Sequence, residues 1–341
     1  MIDSSSLSFL VLVILIALVF ELANGFNDAA NAIATVVSTR VMSPLQAVLL
    51  AAVMNFVGAV SGTAVAKTVG KGVVDPAALS GEFGMVVVAG GVLAAAVWVF
   101  GATRVGMPVS GSHSLVSGVA GAGIVHSGWD VLVRAGITKI GLGLMFSPLL
   151  GFLFGYLIML TIYWIFRSTT PALVTSIFGK LQMGTAAAMA FSHGSNDAQK
   201  TMGIITLALA VFYGWEANGI PFEVPLWVIL VSGLVMGIGT YMGGRRVIHT
   251  LGVRIVTMRP PHGFAAESSA ATVIEFASRT GIPVSTTHVI TSSILGMGST
   301  RRLSAVRWGV AREIVYGWVL TFPVVALLGA VSYYVLRLLT H

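Results

Sequence analysis

The sequence predicts an all-α polytopic membrane protein, built from two inverted-topology repeats that contain broken helices and re-entrant hairpins. Composition, the lengths of the apolar runs and an internal duplication predict this fold class. Of the 341 residues, 56% are hydrophobic and only 9% are charged, whereas about 25% of a typical soluble protein is charged. Several apolar runs approach the roughly 20 residues that a spanning helix needs. A membrane β-barrel would instead show shorter segments of alternating polarity.

The composition also excludes several function classes. The chain has no cysteine, so disulfides and thiolate metal sites are excluded. The formal net charge of +7 is explained by basic cytoplasmic loops, and we expect no nucleic-acid partner. Neither Gly70-Lys71 nor Gly179-Lys180 has the upstream glycine of a Walker-type phosphate loop. An ATP-driven pump and an enzyme are therefore not expected.

Two motifs occur twice in the chain, in the same order. The stretch "NGFNDAANA" at 24–32 is echoed by "HGSNDAQKT" at 193–201. The stretch "ATRVGMPVSGSHS" at 102–114 is echoed by "ASRTGIPVSTTHV" at 277–289. Since a fixed order of two different motifs indicates duplication, the sequence predicts two homologous halves.

We expect the first repeat at 1–168 and the second at 182–341. The segment between them, 169–181, joins the halves and is expected to lie on the membrane surface. Three full crossings are predicted for each half, at about 8–38, 44–66, 131–166, 182–212, 225–244 and 305–337. Because three is an odd number, the second half starts on the opposite face of the membrane, and the repeats are inverted.

The remaining apolar segments, 83–126 and 263–299, each contain Gly-x-Pro-Val-Ser followed by a stretch too short for a comfortable span. Proline has no amide donor and disfavours helix in the residue before it. Each segment therefore predicts a re-entrant hairpin that is broken at membrane depth. Such a break is tolerated only where it is buried in protein or lines a cavity.

Loop charges predict the orientation. Cytoplasmic loops carry an excess of Lys and Arg, and one predicted face collects basic residues with no acidic residue between the spans. These are Arg40, Arg167, Lys180, Arg245, Arg246, Arg254, Arg259, Arg301, Arg302 and Arg307. We therefore expect a multi-pass protein of the inner (cell) membrane with both termini extracellular or periplasmic.

The hairpin tips are candidate anion-binding elements. A helix restarts after Pro108 and after Pro283, with Ser110 and Ser285 as natural N-cap residues. The first amides of a helix have no backbone partner, and they carry partial positive charge that suits an anion. Two such tips that meet from opposite faces would enclose an oxyanion. Hydroxyl donors come from Ser110, Ser112, Ser285, Thr286 and Thr287.

The Asn-Asp motifs are candidate cation-binding elements. An ionised Asp in the membrane costs roughly 2.5–3.5 kcal/mol, so Asp28 and Asp197 are expected to serve a function. Four of the six Asn of the chain lie in these motifs, and those of the first half share one helix face. We expect Gly25 and Gly194 to let the helices unwind and expose carbonyls. These oxygens suit Na⁺ or H⁺ transfer, and the carboxamides are Asn24, Asn27, Asn31 and Asn196.

The second half departs from the first at two positions. Lys200 stands where the first half has Asn31; it can neutralise Asp197, contact the anion or replace a bound cation. Glu267 can pair with a cation or proton, or hold Arg279 or another arginine. The roles of two further residues, His113 and His288, stay open.

The chain resembles the PiT family of inorganic phosphate transporters. The resemblance rests on "GFNDAANA", "GSNDAQK", "PVSGSHS", "GFAAESSA" and "PVSTTH" together with the duplication, and it covers essentially the whole chain. It implies symport of phosphate with Na⁺ or H⁺, extracellular termini and a homodimer, without a further cofactor. It also implies that the binding site is formed by Asn27, Asp28, Asn31, Ser110, Gly111, Ser112, Asn196, Asp197, Glu267, Ser285, Thr286 and Thr287.

Sodium-coupled animal members of that family differ from this chain. They have a Glu where this chain has Asn55, another Glu in the first hairpin, and an Asn in place of Lys200. The coupling ion and its stoichiometry are therefore left open, and so is sulfate, because some bacterial members are sulfate permeases.

Two functions of other classes are alternatives to symport. A passive anion channel would need no cation ligands. An intramembrane aspartyl protease would use Asp28 and Asp197 as a dyad. Its mechanism does not require two helix N-termini that are suited to bind an anion.

Overall fold

The structure is a computed structural model that describes residues 4–79, 83–243 and 245–340; of the predicted cytoplasmic residues, Arg245 has its side chain outside this description. Within these ranges the chain is helical, without a β-strand. One isolated bridge pairs Val74 with Leu132. The all-α prediction is therefore confirmed.

Twelve α-helices follow one another along the described chain. The first six are α1 (Ser4–Ser38), α2 (Pro44–Ala59), α3 (Ala64–Gly72), α4 (Gly84–Val105), α5 (Gly111–Ser127) and α6 (Arg134–Ile165). The other six are α7 (Pro171–Phe212), α8 (Leu226–Met242), α9 (Arg245–His249), α10 (Pro260–Arg279), α11 (Thr286–Ser299) and α12 (Trp308–Leu339). Residues Thr250–Arg254 continue α9 as a π-helical turn.

Four of these helices, α1, α4, α6 and α12, are long and apolar enough to cross a membrane, and up to six spans result if each of two bent pairs counts as one. The predicted crossing 182–212 lies in α7, which is not among them, because its polar motif lowers the hydropathy. The multi-pass prediction is confirmed. The inversion of the two halves stays a prediction.

One predicted crossing is broken rather than straight, and another is followed directly by a sharp bend. The crossing predicted at 44–66 divides into α2 and α3, which meet at 71°. The crossing predicted at 225–244 ends with α8, and the chain turns by 68° into residues 246–254. The break in the first crossing has a local cause, since Ser61, Gly62 and Thr63 interrupt the apolar run.

Both predicted hairpins are present as helix pairs that pack against each other, α4 with α5 and α10 with α11. The turn after α4 begins with Gly106 in the left-handed region (φ 75°), which glycine adopts without steric cost. Ser110 and Ser285 then cap the next helices by accepting from the backbone amides of His113 and His288. The caps are as predicted, although α4 alone is long enough to span a membrane.

The predicted linker 169–181 is mostly not a separate segment. Helix α7 begins at Pro171, with Thr170 at its N-cap, and runs without a break to Phe212. Proline is favoured in the first turn of a helix because its missing donor is not needed there. The position of this stretch on the membrane surface and the division into 1–168 and 182–341 stay predictions.

Helices α1 and α7 carry the polar motifs through the centre of the fold. Helix α1 packs on α4, α7 and α8, and α7 packs on α2, α3 and α10. Helix α1 also touches α10 and α11, and α7 also touches α4 and α5. Both helices therefore meet both hairpins, and the motif residues lie where these elements converge.

Candidate functional site

A cluster of polar side chains lies where α1 and α7 meet the tips of the two hairpins. Its members are buried, with exposed fractions of 2% or less, which isolates the cluster from both sides of the protein. Buried polar groups are costly unless they have partners. The cluster comprises Asn24, Asn27, Asp28, Asn31, Ser110, Ser112, Asn196, Asp197, Lys200, Ser285, Thr286 and Thr287.

The helices do not unwind at this site, so the prediction for Gly25 and Gly194 is wrong. Both α1 and α7 are continuous through their Asn-Asp motifs. The glycines instead permit close helix packing. A Cβ on Gly25 would lie 2.9 Å from the carbonyl oxygen of Met236, and one on Gly194 would overlap the backbone of Asn55. The helix carbonyls therefore stay in the helical hydrogen-bond pattern there, and the oxygens left available in this region belong to side chains.

In the first half, Asp28 and Asn31 contact the tip of the second hairpin. The Thr287 hydroxyl donates to Asp28 Oδ1 at 3.0 Å. The Asn31 amide donates to the hydroxyls of Thr287 and Thr286 at 3.0 and 3.4 Å. One hydroxyl-rich helix start is thus held by a carboxylate and a carboxamide from α1.

In the second half, Asp197 is surrounded by donors. Its Oδ1 is paired with the Lys200 ammonium, one turn further along α7. Its Oδ2 accepts from the Thr286 hydroxyl at 3.1 Å and from the Asn24 amide at 3.4 Å. Of the three roles predicted for Lys200, neutralisation of Asp197 is the contact observed.

The two hairpin tips contact each other directly. The Ser112 hydroxyl donates to the Val284 carbonyl at 2.7 Å, and the Thr287 hydroxyl lies 3.2 Å from the Val109 carbonyl. Gly111 sits against Asn24, where any Cβ would overlap the carboxamide. The helix starts of α5 and α11 therefore meet at the same polar cluster, with Ser110 and Ser285 engaged as caps.

Asn27 and Asn196 make matching contacts in the two halves. Asn27 donates to the Thr103 hydroxyl at 2.6 Å, and Asn196 donates to the Ser278 hydroxyl at 3.0 Å. Thr103 and Ser278 occupy equivalent positions of the repeated hairpin motif. Asn196 also accepts from the Val284 amide at 3.3 Å, so each asparagine holds the entry to its own hairpin tip.

His193 is a central residue that the sequence reasoning missed. Its Nε2 lies 3.4 Å from Asp197 Oδ2 and 3.8 Å from Asp28 Oδ2, while Nδ1 lies 2.9 Å from Asn55 Oδ1. Ligand atoms of Asp28, His193 and Asp197 lie within 4.8 Å of one another, close enough to hold one cation. The available signal was the repeat itself, since His193 occupies the position of Asn24.

Glu267 lies apart from this cluster. It accepts from Thr35 at 2.5 Å, from Thr185 at 2.5 Å and from Gln182 at 3.0 Å. These partners are neutral, and Arg279 pairs with Glu275 at 2.8 Å. The alternative that Glu267 holds Arg279 is therefore wrong, while its role towards a cation or proton stays a prediction.

Three further polar residues border the site. Buried Glu21 accepts from the Thr201 hydroxyl, a contact that the sequence reasoning also missed. The rings of His113 and His288 pack together with centroids 4.4 Å apart. His288 stacks on Trp318 at 3.7 Å, so this pair forms an aromatic layer behind the two helix starts.

Comparison with known proteins identifies the family. The model of the phosphate transporter family matches residues 24–329. The chain belongs to the phosphate transporter family. A Bacillus subtilis (strain 168) protein named "Probable low-affinity inorganic phosphate transporter" is 42% identical over 330 residues, which cover 96% of this chain and 97% of that protein. A Rhizobium meliloti (strain 1021) protein of the same name is 41% identical, with 95% and 96% covered.

A solved structure has the same fold. It is described as the sodium-dependent phosphate transporter, and it superposes with a TM-score of 0.85 at 27% identity, covering 97% of this chain and 99% of that one. The resemblance inferred from the motifs is thereby confirmed. This phosphate transporter family member is a multi-pass membrane transporter and not an enzyme.

Proposed function

We propose that the protein is a secondary active symporter of inorganic phosphate, driven by an inward gradient of Na⁺ or H⁺ through alternating access. The observation that carries the proposal is the meeting of the α5 and α11 helix starts beside the carboxylates of Asp28 and Asp197. Hydrogen-bond donors suited to an anion and carboxylates suited to a cation then share one buried cluster.

The helix starts supply the anion-binding half of the site. Each offers backbone amides that lack an intrahelical partner and the positive end of a helix dipole. The hydroxyls of Ser112, Thr286 and Thr287 lie at the same tips. Phosphate would exchange the present contacts between the tips for its own oxygens.

The carboxylates supply the cation-binding half. Asp28 Oδ2 has no hydrogen-bond partner among the described residues, and a buried unpaired carboxylate oxygen is costly. Na⁺ or H⁺ at Asp28 removes that cost and lowers the repulsion between the carboxylate and phosphate. Binding of the cation and of the anion are thereby coupled.

Two observations favour phosphate symport over the alternatives. Phosphate carries a proton to donate whereas sulfate does not, and the acceptors Asp28 and Asp197 lie within hydrogen-bond reach of the hairpin hydroxyls. A passive channel needs no carboxylate cation ligands, whereas Asp28, His193 and Asp197 lie close enough together to hold a cation. Both points favour cation-coupled phosphate transport.

The proposal places the protein in the inner membrane with its termini outside, as the basic loops predict. We also propose that the protein forms a homodimer. The mass of the purified protein in detergent tests this.

Uptake of labelled phosphate into proteoliposomes tests the proposed function. We expect accumulation under an inward Na⁺ or H⁺ gradient, loss of accumulation when both gradients are collapsed, and weak competition by sulfate. Accumulation of sulfate in preference to phosphate would show that sulfate is the transported anion. Uptake that only equilibrates phosphate, regardless of gradient, would replace the symporter by a channel.

A further inference from the structure

Lys200 is a buried lysine in the middle of the polar cluster, with an exposed fraction of 2%. Its ammonium pairs with Asp197 and donates to the Val284 carbonyl at 2.9 Å. A carboxylate oxygen and a backbone carbonyl oxygen are also ligands that hard cations take in proteins. The ammonium therefore has surroundings of the kind that a bound cation would have.

The carboxylates of the two Asn-Asp motifs differ in the number of hydrogen-bond and ion-pair partners that they have. Asp197 pairs with Lys200 through Oδ1 and accepts from Thr286 and Asn24 through Oδ2. His193 Nε2 lies near both carboxylates, 3.4 Å from Asp197 and 3.8 Å from Asp28, and has no hydrogen-bond partner among the described residues. Asp28 accepts from Thr287 through Oδ1, and its Oδ2 has no hydrogen-bond partner in the described part of the chain.

The carboxamide oxygens show the same difference between the halves. Those of Asn24, Asn27 and Asn31 are buried and have no hydrogen-bond partner among the described residues. They share the helix face of Asp28. The second-half counterpart of Asn27 is Asn196, whose oxygen accepts from the Val284 amide. Oxygens able to receive a cation are thus concentrated on the first half.

We propose that Lys200 is a tethered cation that permanently fills the cation position at Asp197, so that the mobile coupling ion binds at Asp28. The inference rests on the proposed symport. It follows from the repeat, because Lys200 stands at the position of Asn31 in the first half. A tethered ammonium neutralises Asp197 throughout the cycle and is never released. The protein therefore moves one cation fewer for each phosphate than it would with a neutral residue at this position.

The substitution Lys200→Asn tests this role, since it gives the second half the residue of the first. Without the ammonium, Asp197 needs a mobile cation, and we expect one additional cation per phosphate. The matched control is Lys180→Asn, which removes an exposed lysine from the same helix. If Lys200 instead bound the anion directly, the substitution would weaken phosphate affinity and leave the number of coupled cations unchanged.

Phosphate accumulation at zero net flux reports the number of coupled cations. Proteoliposomes hold a tenfold gradient of the cation that drives the wild type, with the membrane voltage clamped at zero. Each added cation raises the final phosphate ratio by about tenfold, so Lys200→Asn should exceed both the wild type and Lys180→Asn by that factor. An unchanged ratio overturns the inference, whereas a wild type driven by neither cation overturns the proposed function itself.

A Lys200→Asn protein that does not transport is still informative through cation binding. A ligand of the folded state raises its melting temperature with ligand concentration. In detergent, the melting temperature should rise more steeply with the logarithm of the driving cation's concentration than it does for the wild type. Equal slopes would show that no cation has replaced the ammonium, and they overturn the inference.

Discussion

Replacing Asp197 by Asn should destabilise the protein strongly, because it leaves the Lys200 ammonium buried without its counter-charge. The two side chains are exposed by 1% and 3%. Removal of one partner of a buried ion pair costs about 3–5 kcal/mol. The Val284 carbonyl still accepts from Lys200, but a single neutral acceptor does not balance the charge.

A pair that is more exposed provides the matched control for Asp197→Asn. Glu275 and Arg279 form a pair whose side chains are 25% and 79% exposed, and exposed pairs contribute only about 0–1 kcal/mol. Glu275→Gln should therefore melt close to the wild type, while Asp197→Asn should melt clearly lower. Both are measured by thermal unfolding of the purified proteins in detergent, in sodium-free buffer.

The double variant Asp197→Asn with Lys200→Met separates the ion pair from other effects of the substitutions. Replacing both charges of a buried pair by neutral groups of similar volume is often nearly neutral. The double variant should therefore melt above each single variant. Additive losses, or an Asp197→Asn protein as stable as Glu275→Gln, would show that the pair does not neutralise a buried charge and would refute the reasoning.

Two further predictions concern the cation and the anion separately. Asp28→Asn should abolish gradient-driven phosphate accumulation while the folded protein is retained, because Asp28 accepts a hydrogen bond from the neutral Thr287, forms no ion pair with lysine and lies 3.8 Å from His193. Asp130→Asn, an exposed control, should accumulate normally. Normal accumulation by Asp28→Asn would remove its assigned role. Thr287→Val should raise the half-saturating phosphate concentration by about tenfold or more, since a hydrogen bond to a charged group contributes about 1.5–3 kcal/mol. Thr291→Val removes a buried hydroxyl on the same helix that has no hydrogen-bond partner among the described residues, so its uptake curve should match the wild type, and equal shifts in both variants would contradict the assignment.

Features set by local chemistry were predictable from the sequence. The caps at Ser110 and Ser285 follow from a proline, a hydroxyl and a helix restart within a few residues. The Lys200–Asp197 contact follows from spacing along one helix. Such interactions need no knowledge of how distant helices are arranged.

Features set by distant parts of the chain were missed or wrong. His193 reaches Asp28 only because α1 and α7 cross, and Thr201 reaches Glu21 for the same reason. Unwinding at Gly25 was expected because glycine permits it and unwound backbone would expose carbonyls, but the helix is continuous and the polar side chains find partners at the hairpin tips. The fold therefore satisfies the motif across helices and keeps each helix continuous.

The position of the bound anion tests the central claim most directly, namely that both hairpin tips bind one oxyanion beside Asp28 and Asp197. Arsenate is a tetrahedral analogue of phosphate whose arsenic atom is located by anomalous scattering in crystals. We predict one strong peak with its oxygens about 3 Å from the Thr286 and Thr287 hydroxyls and from the amides that start α5 and α11. A peak at the basic cytoplasmic loops, with none between the hairpin tips, would contradict the account.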